Sequence, residues 1–489
     1  MTATASAGPA TARDGTARRQ WRIDALVLSV IALLLRLPAL FATRSLVFDD
    51  GVFAASALAM RRGELPFRDV FSSQGPLFLP LVWVGDLLGF RTLDAPRVLA
   101  VASGIVVTVA AYACARRVTS RGNALLAAGL VTTSGSILWV TGPINADGPS
   151  IALSVLAIAL ALRARDHVTP RFTDALWVGL AGGAAASIKA TSVPAVLAAG
   201  VVLILVRRRF RNAVVAALVA GAVYLVAAAP WGLQRVWDQS FRYHSEARRL
   251  NSRPSAAWKV VVTLWERDPL VVLALAAAVV TALLAWAGVG RRVERVSDVS
   301  TQPPIGLVVA VLSGWALLVF AILLWEPALF VPHISQIVVP LALLASLRPP
   351  PWPFLAAALL VATPFWVAEN DSIIWPHGYR GNEAALVARL RELSDGALVI
   401  SDDPGYAWRA GHGPPGELAD PSFQRIENGQ ITTRSLARAA ASREVCGVVV
   451  SSPQHFGSLP GLPTRLTAEG YRAERFGSIT LYRRARCRA

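Results

Sequence analysis

Charge is scarce in this chain: 16% of its 489 residues are Asp, Glu, Lys or Arg, against 54% hydrophobic. Soluble proteins carry about 25% charged residues, so a disordered chain or a charge-studded scaffold for nucleic acid is excluded. Lysine is nearly absent, with Lys189 and Lys259 alone among 48 basic residues. The net charge of +17 is therefore an arginine charge, and its placement beside apolar stretches argues against a nucleic-acid partner. Arginine in place of lysine, with abundant Ala, Val and Leu, is the composition of a GC-rich bacterial genome. Cysteine is rarer still. Cys114, Cys446 and Cys487 are too few and too scattered for a disulfide-rich scaffold or a zinc ribbon.

What the chain has in quantity is long apolar runs. A membrane-crossing helix needs roughly 20 apolar residues, at about 1.5 Å each, to cross about 30 Å of hydrocarbon. Eleven apolar stretches are candidates: about Leu26 to Thr43, then near 98–115, 123–141, 149–162, 174–188, 191–206, 213–231, 270–288, 305–325, 336–347 and 353–368. The first follows Arg18, Arg19 and Arg22, but no small-x-small cleavage site comes after it, so it reads as an uncleaved anchor. Pro76 to Phe90 is apolar but short and carries Asp86, which suits an interfacial or re-entrant segment.

Arginine clusters set the orientation, because short cytoplasmic loops collect basic residues. If Pro76 to Phe90 does not cross, Arg116, Arg117 and Arg121, then Arg163, Arg165 and Arg171, then Arg207 to Arg209 with Arg211, then Arg291, Arg292 and Arg295 all share the side of the N-terminal arginines. The opposite short loops, Gly142 to Asp147 and Glu326 to Ser335, hold no Lys or Arg. The expected layout is a cytoplasmic tail (1–23), a transmembrane region (24–368) with outer loops 44–97 and 232–269, and an outer C-terminal domain (369–489).

That last part mixes Gly, Pro and charge with short apolar runs. Glu383 to Leu393 has helical spacing, and Ala397–Ser401, Gly447–Ser451 and Ile479–Tyr482 are rich in strand-favouring residues. A small α/β domain is expected, with Cys446 and Cys487 paired, since both lie in the outer tail where oxidation is permitted.

Apart from Arg36, the predicted spans lack charged side chains, which weakens an ion-coupled transporter reading. The ionisable residues instead gather at the outer boundary: Asp49, Asp50, Arg68, Asp69, Asp147, Lys189, His244 and His333. Acid, base and cation at one level beside lipid suit a reaction on a membrane-held anionic substrate.

The order of motifs resembles that of the GT-C membrane glycosyltransferases, the group containing the protein mannosyltransferases and the lipid A aminoarabinose transferases. Phe48-Asp49-Asp50-Gly51-Val52-Phe53 is similar to the acidic pair opening the family's first outer loop. Gly63-Glu64-Leu65-Pro66-Phe67-Arg68-Asp69 with Pro76-Leu77, then Asn145-Ala146-Asp147, then Ile188-Lys189 after Gly179, Gly182 and Gly183, follow its later motifs. The resemblance covers roughly residues 24–350 and is strongest up to Lys189. It implies an α-helical polytopic fold of about eleven transmembrane helices, a polyprenyl-phosphate-linked sugar as donor, and a glycan, lipid or protein acceptor among membrane lipids. Mannose or a pentose is the donor sugar it suggests.

The mechanism the resemblance implies is inversion at the anomeric carbon, with polyprenyl phosphate leaving. Asp49 is the expected base, with Asp50 or Asp147 orienting the acceptor. Lys189 is the first choice for the donor phosphate, followed by Arg68, His333 and His244. Where many relatives carry a carboxylate or imidazole that binds metal, this chain reads Ser73-Gln74-Gly75-Pro76. No resident cofactor is implied, and a divalent cation is left open. A lipid-linked-sugar transporter or flippase would also keep cations near phosphate but would need no carboxylate base, and an inactive envelope-binding scaffold would need neither.

Each of these residues also has a plainer role available. Asp147 can cap the helix that follows it, Lys189 and Arg36 can snorkel to headgroups, and His333 can be a hydrogen-bonded boundary residue. His244 sits in a basic loop that can be merely solvated. Asp402 and Asp403 precede Pro404-Gly405 and suit a turn, and the glycines before Lys189 suit close helix packing.

Overall fold

The computed structural model describes residues 10–166, 171–207, 210–246, 252–287, 305–349, 352–485 and 487. Arg208, Arg209, Arg248, Arg249, Arg291, Arg292 and Arg295 lie outside them. Each of the eleven apolar stretches falls on helix. By length and composition, five helices are able to cross a membrane: Thr16–Leu40, Ala95–Arg116, Asp147–Ala164, Phe210–Trp231 and Ile305–Trp325. Two bent pairs raise the number to seven among the described residues, Arg121–Thr133 with Gly135–Thr141 at 58° and Arg253–Arg267 with Pro269–Leu284 at 103°. Phe172–Ile188, Ala190–Leu205 and Val331–Leu347 are apolar but shorter.

The protein is an α-helical, multi-pass membrane protein, and its exposure pattern follows from that solvent. Small residues fill the seams between helices, while Leu218, Val226, Leu317 and Leu360 stand exposed on outward faces. Close packing explains the glycines before Lys189: a Cβ at Gly179 would stand 2.6 Å from the Ala216 carbonyl oxygen, and one at Gly183 2.7 Å from Ala220 Cα. Arg36 does not snorkel. It is fully buried, with Nε donating to Thr141 Oγ1 at 2.7 Å and Nη1 to the Ala32 carbonyl at 2.9 Å.

The Pro76 to Phe90 stretch forms the 11-residue helix Phe78–Leu88, about 16 Å long and half of what a crossing requires. Its end is tied down by Asp86, which accepts from Arg61 Nε at 2.9 Å and Nη2 at 2.5 Å.

At the C-terminal end, four strands form one sheet in the order β1-β2-β4-β3: β1 Leu398–Ser401, β2 Val445–Val450, β3 Tyr471–Phe476 and β4 Ile479–Arg484. β1 and β2 run parallel, and the β3–β4 hairpin adds antiparallel to β2. The expected helix appears as Gly381–Arg391. Cys446 and Cys487 form a disulfide, with Cα atoms 5.4 Å apart, and Cys114 is free and buried.

This α/β unit is fastened to the helical part. Gly51 touches the backbone of Pro404-Gly405 so closely that a Cβ would lie 2.6 Å from the Gly405 nitrogen. Trp408 Nε1 donates to the Leu93 carbonyl at 3.0 Å, Arg409 pairs with Asp94 at 2.7 Å, and Glu64 accepts from the Gly416 amide at 2.7 Å. Glu64 of the Gly63-to-Asp69 motif therefore serves docking.

Candidate active site

The site is assembled from the start of the helix Phe48–Arg61, the 72–77 turn, the Asn145-Ala146-Asp147 turn, the end of the helix Phe172–Ile188, the 239–244 segment, the start of the helix Val331–Leu347 and two turns of the α/β unit. The 72–77 turn is sewn in place. The Gly75 amide donates to the Ile188 carbonyl at 2.9 Å and that of Leu77 to Ser187 at 3.0 Å. The backbones meet so tightly that a Cβ at Gly75 would stand 2.3 Å from the Ser187 oxygen. Across the turn, Ser240 Oγ donates to the Gln74 carbonyl at 2.6 Å and Trp231 Nε1 to that of Pro76 at 3.2 Å.

Two cavities meet here. One, about 450 Å³, is lined by Asp49, Trp139, Arg267, Asp420, Phe423 and His455 among others. The second, about 570 Å³, is lined by Ala186, Ala190, Tyr224, Phe241, Ile322 and Trp325 among others. Ser73, Gln74, Lys189, His244, Phe330, His333 and Gln424 line both.

The two members of the acidic pair have separate positions. Asp49 is half-buried and opens on the first cavity, and its Oδ2 accepts from Asn145 Nδ2 at 3.0 Å. Burial among protein groups raises its pKa to about 6, with Asp420 and Asp147 adding to the rise and Lys189 and His333 opposing it. Asp50 turns the other way and is fully buried. It accepts from Arg97 Nη2 at 2.6 Å, the Ile144 amide at 2.8 Å and the Leu46 amide at 3.0 Å. It therefore holds the first acidic turn to the second instead of orienting a substrate. Arg97→Met should leave that carboxylate buried and unpaired, a change typically costing about 3–5 kcal/mol. Thermal unfolding in detergent checks this, and a midpoint equal to the parent's would sink it.

Asp147 lines neither cavity. Its Oδ2 meets Lys189 Nζ at 2.5 Å, its Oδ1 accepts from Gln336 Nε2 at 3.2 Å, and its amide donates to Asn145 Oδ1 at 2.8 Å. The carboxylate thus fixes Lys189, which is nine-tenths buried and reaches both cavities. Asn145 links this pair to Asp49.

His333 Nδ1 bonds Glu326 Oε2 at 2.6 Å, leaving Nε2 for the cavities. His244 Nε2 donates to the Ser73 carbonyl at 2.9 Å, and burial pushes its pKa down to about 4. Near neutral pH it is an uncharged ring with one acceptor nitrogen left, so it supplies shape and no positive charge. Arg68 stands apart: its side chain is 56% exposed, paired with Asp69 at 2.9 Å, and lines neither cavity.

Sequence reasoning missed the contribution of the α/β unit. Asp420 is buried at the wall of the first cavity, accepting from the Ser422 amide at 3.0 Å and Ser73 Oγ at 3.4 Å. His455 sits edge-on to Phe48, ring centroids 5.3 Å apart, with Nδ1 bonded to the Asp402 carbonyl at 3.1 Å. Asp402 and Asp403 form turns: Asp402 accepts from the Ser451 and Ser452 amides, and Asp403 caps the helix Pro404–Arg409. No group of three or more His, Cys, Asp or Glu suited to a metal occurs among the described residues.

Residues 73–233 match the family described as dolichyl-phosphate-mannose-protein mannosyltransferase. Among solved structures, the chain is similar to ArnT from Cupriavidus metallidurans in the apo state, with TM-score 0.64 and 14% identity over 95% of this chain and 98% of that one. The fold is that of the GT-C membrane glycosyltransferases. ArnT bound to undecaprenyl phosphate gives TM-score 0.59 at 15% identity, covering 95% and 98%. The archaeal oligosaccharyltransferase AglB from Archaeoglobus fulgidus, in complex with an inhibitory peptide and a dolichol-phosphate, gives 0.53 at 13%, covering 96% and 74%. No curated protein matches the sequence. The mannosyltransferase match ends within the GT-C helical part, and its span includes Asp147 and Lys189.

Proposed function

We propose that this membrane glycosyltransferase moves a sugar from a polyprenyl-phosphate donor to a hydroxyl of an extracytoplasmic acceptor, with inversion and with Asp49 as general base. The observation that carries the reading is the pair of cavities joined at Lys189, His244 and His333, with Asp49 on one of them alone and the Glu326 carboxylate of the other bonded to His333. Alanines, Tyr224, Ile322 and Trp325 make the second cavity suited to the first prenyl units of a lipid donor. Its phosphate would then rest against Lys189 and His333, and the anomeric carbon would face Asp49.

In the proposed step Asp49 takes the acceptor hydroxyl proton as that oxygen bonds to the anomeric carbon. The bond from that carbon to the phosphate oxygen breaks, and its electron pair leaves with polyprenyl phosphate. The developing charge meets Lys189, in a site whose shielding from water strengthens the interaction. Asp420 and the Phe48, Phe423 and His455 rings form the acceptor side, a mixture of hydrogen-bond acceptor and apolar faces that suits a polyhydroxylated molecule.

The proposed orientation keeps residues 1–23 in the cytoplasm of a bacterial cell and residues 24–368 in its plasma membrane. Loops 44–97 and 232–269 and residues 369–489 then lie outside, where sugar arrives already carried on lipid. The test is transfer by the purified chain from polyprenyl-phosphate mannose or pentose to extracted envelope glycans and lipids, followed by mass spectrometry. Product with inverted anomeric configuration is expected. Movement of intact lipid-linked sugar across vesicles, with no transfer to any acceptor, would overturn the reading in favour of a transporter.

A further inference from the structure

Arg267 ends the helix Arg253–Arg267 and lines the Asp49 cavity but not the second one. The other cationic or imidazole groups there have partners. Lys189 has Asp147 and His333 has Glu326, while His244 and His455 are bonded to the carbonyls of Ser73 and Asp402. Arg267 has none. Its guanidinium lies over the Trp139 ring, 3.9 Å from the centroid, and its Nη1 is buried without an acceptor. Among the described residues its side chain makes no hydrogen bond and no ion pair.

The neighbouring carboxylates do not fill the gap. Asp268 is occupied by the hydroxyls of Ser134 at 2.6 Å and Ser136 at 2.5 Å. Glu266 and Glu369 are exposed, and neither forms an ion pair with Arg267. A buried donor left without an acceptor is destabilising, and more so when charged, so an unfilled guanidinium on a cavity wall indicates a ligand that completes it. With one face covered by indole, what remains is the planar edge, whose forked N–H groups match a carboxylate or phosphate in two parallel bonds.

The position tells which substrate brings that anion. Lys189 and His333 reach both cavities and suit the donor phosphate, whereas Arg267 faces only the chamber of Asp49, Asp420 and His455. Resting on the two-cavity reading above, we infer that Arg267 binds an anionic group, phosphate or carboxylate, carried by the acceptor. The acceptor is thereby specified as an anionic molecule that presents a hydroxyl to Asp49 while its charge is held at the Arg267–Trp139 shelf.

The experiment uses the full chain in detergent, saturated with undecaprenyl phosphate, and titrates it calorimetrically with inorganic phosphate and, separately, with acetate. One saturable small-anion site is expected, and the tighter of the two probes assigns phosphate or carboxylate. R267Q should weaken it at least about tenfold, equivalent to about 1.4 kcal/mol, with undecaprenyl phosphate affinity unchanged as evidence that the variant is folded. R267K, which keeps the charge, should retain measurable binding. Anion binding by R267Q equal to the parent's, or its displacement by undecaprenyl phosphate, would overturn the inference. If the parent does not bind undecaprenyl phosphate, the donor reading fails, while phosphate binding lost in R267Q and kept in R267K would still uphold the anion site.

Discussion

Asp49→Asn should lower sugar transfer at least about a hundredfold, the lower end of typical general-base effects, in a protein that should still fold and bind donor. The amide has the shape of the carboxylate and can still accept from Asn145, so the link between the two acidic turns survives. What is lost is a basic oxygen on the cavity. The same residue governs the pH profile. Because burial has raised its pKa to about 6, the parental enzyme should be fully active above that value. Below it, transfer should fall close to tenfold per pH unit as Asp49 takes up a proton and ceases to be a base. Initial rates from pH 4.5 to 8 under donor saturation measure this, and Asp49→Asn should lose that limb along with the activity. A folded Asp49→Asn protein transferring at the parental rate would remove Asp49 as base and direct attention to Asp420, the other carboxylate on that cavity.

Much of the helical part was legible because the bilayer imposes one rule, a long run without charge, and this chain obeys it with few exceptions. The same rule misleads at bends. The stretch 270–288 reads as a straightforward span, yet Asp268 and Pro269 mark a 103° turn that sets the helix Arg253–Arg267 at an angle to it. In the α/β unit, β1, β2 and β4 were visible as short stretches rich in strand-favouring residues. β3, Tyr471-Arg-Ala-Glu-Arg-Phe476, was not, because it is an edge strand whose Arg472 is exposed and whose pairing to β4 needs little apolar content.

Within the site, local motifs located Asp49, Asp147 and Lys189 but could not say which way each side chain turns. Asp49 and Asp50 are adjacent on a helix and so point in different directions, one to the cavity and one to Arg97, a partner 47 residues away. Asp420, His455 and Arg267 carry no local signal at all. They are one acid after a proline-rich turn, one histidine before a phenylalanine and one arginine among 46. Only docking of the α/β unit through Gly51, Glu64, Trp408 and Arg409 brings the first two to the cavity.

Lys189 is where site and stability are joined, and separating them gives the second large expected effect. Lys189→Ala removes the partner of Asp147, which is fully buried and would keep only Gln336. Breaking a buried pair from one side typically costs about 3–5 kcal/mol, so the single variant should unfold at markedly lower temperature and lose activity for that reason alone. The double variant Lys189→Met with Asp147→Asn removes both charges and keeps the volume, which is often nearly neutral for stability. Its unfolding midpoint should return towards the parent's. Its affinity for undecaprenyl phosphate should not return, because a charge-assisted hydrogen bond to phosphate contributes about 1.5–3 kcal/mol, roughly ten- to a hundredfold in affinity. Transfer should fall further than binding, since the leaving phosphate gains charge as its bond to the sugar breaks, and an interaction that strengthens in the transition state acts on rate beyond affinity. A stable double variant that binds undecaprenyl phosphate as tightly as the parent would restrict Lys189 to holding Asp147 in place, and His333 would then be the remaining candidate for the donor phosphate.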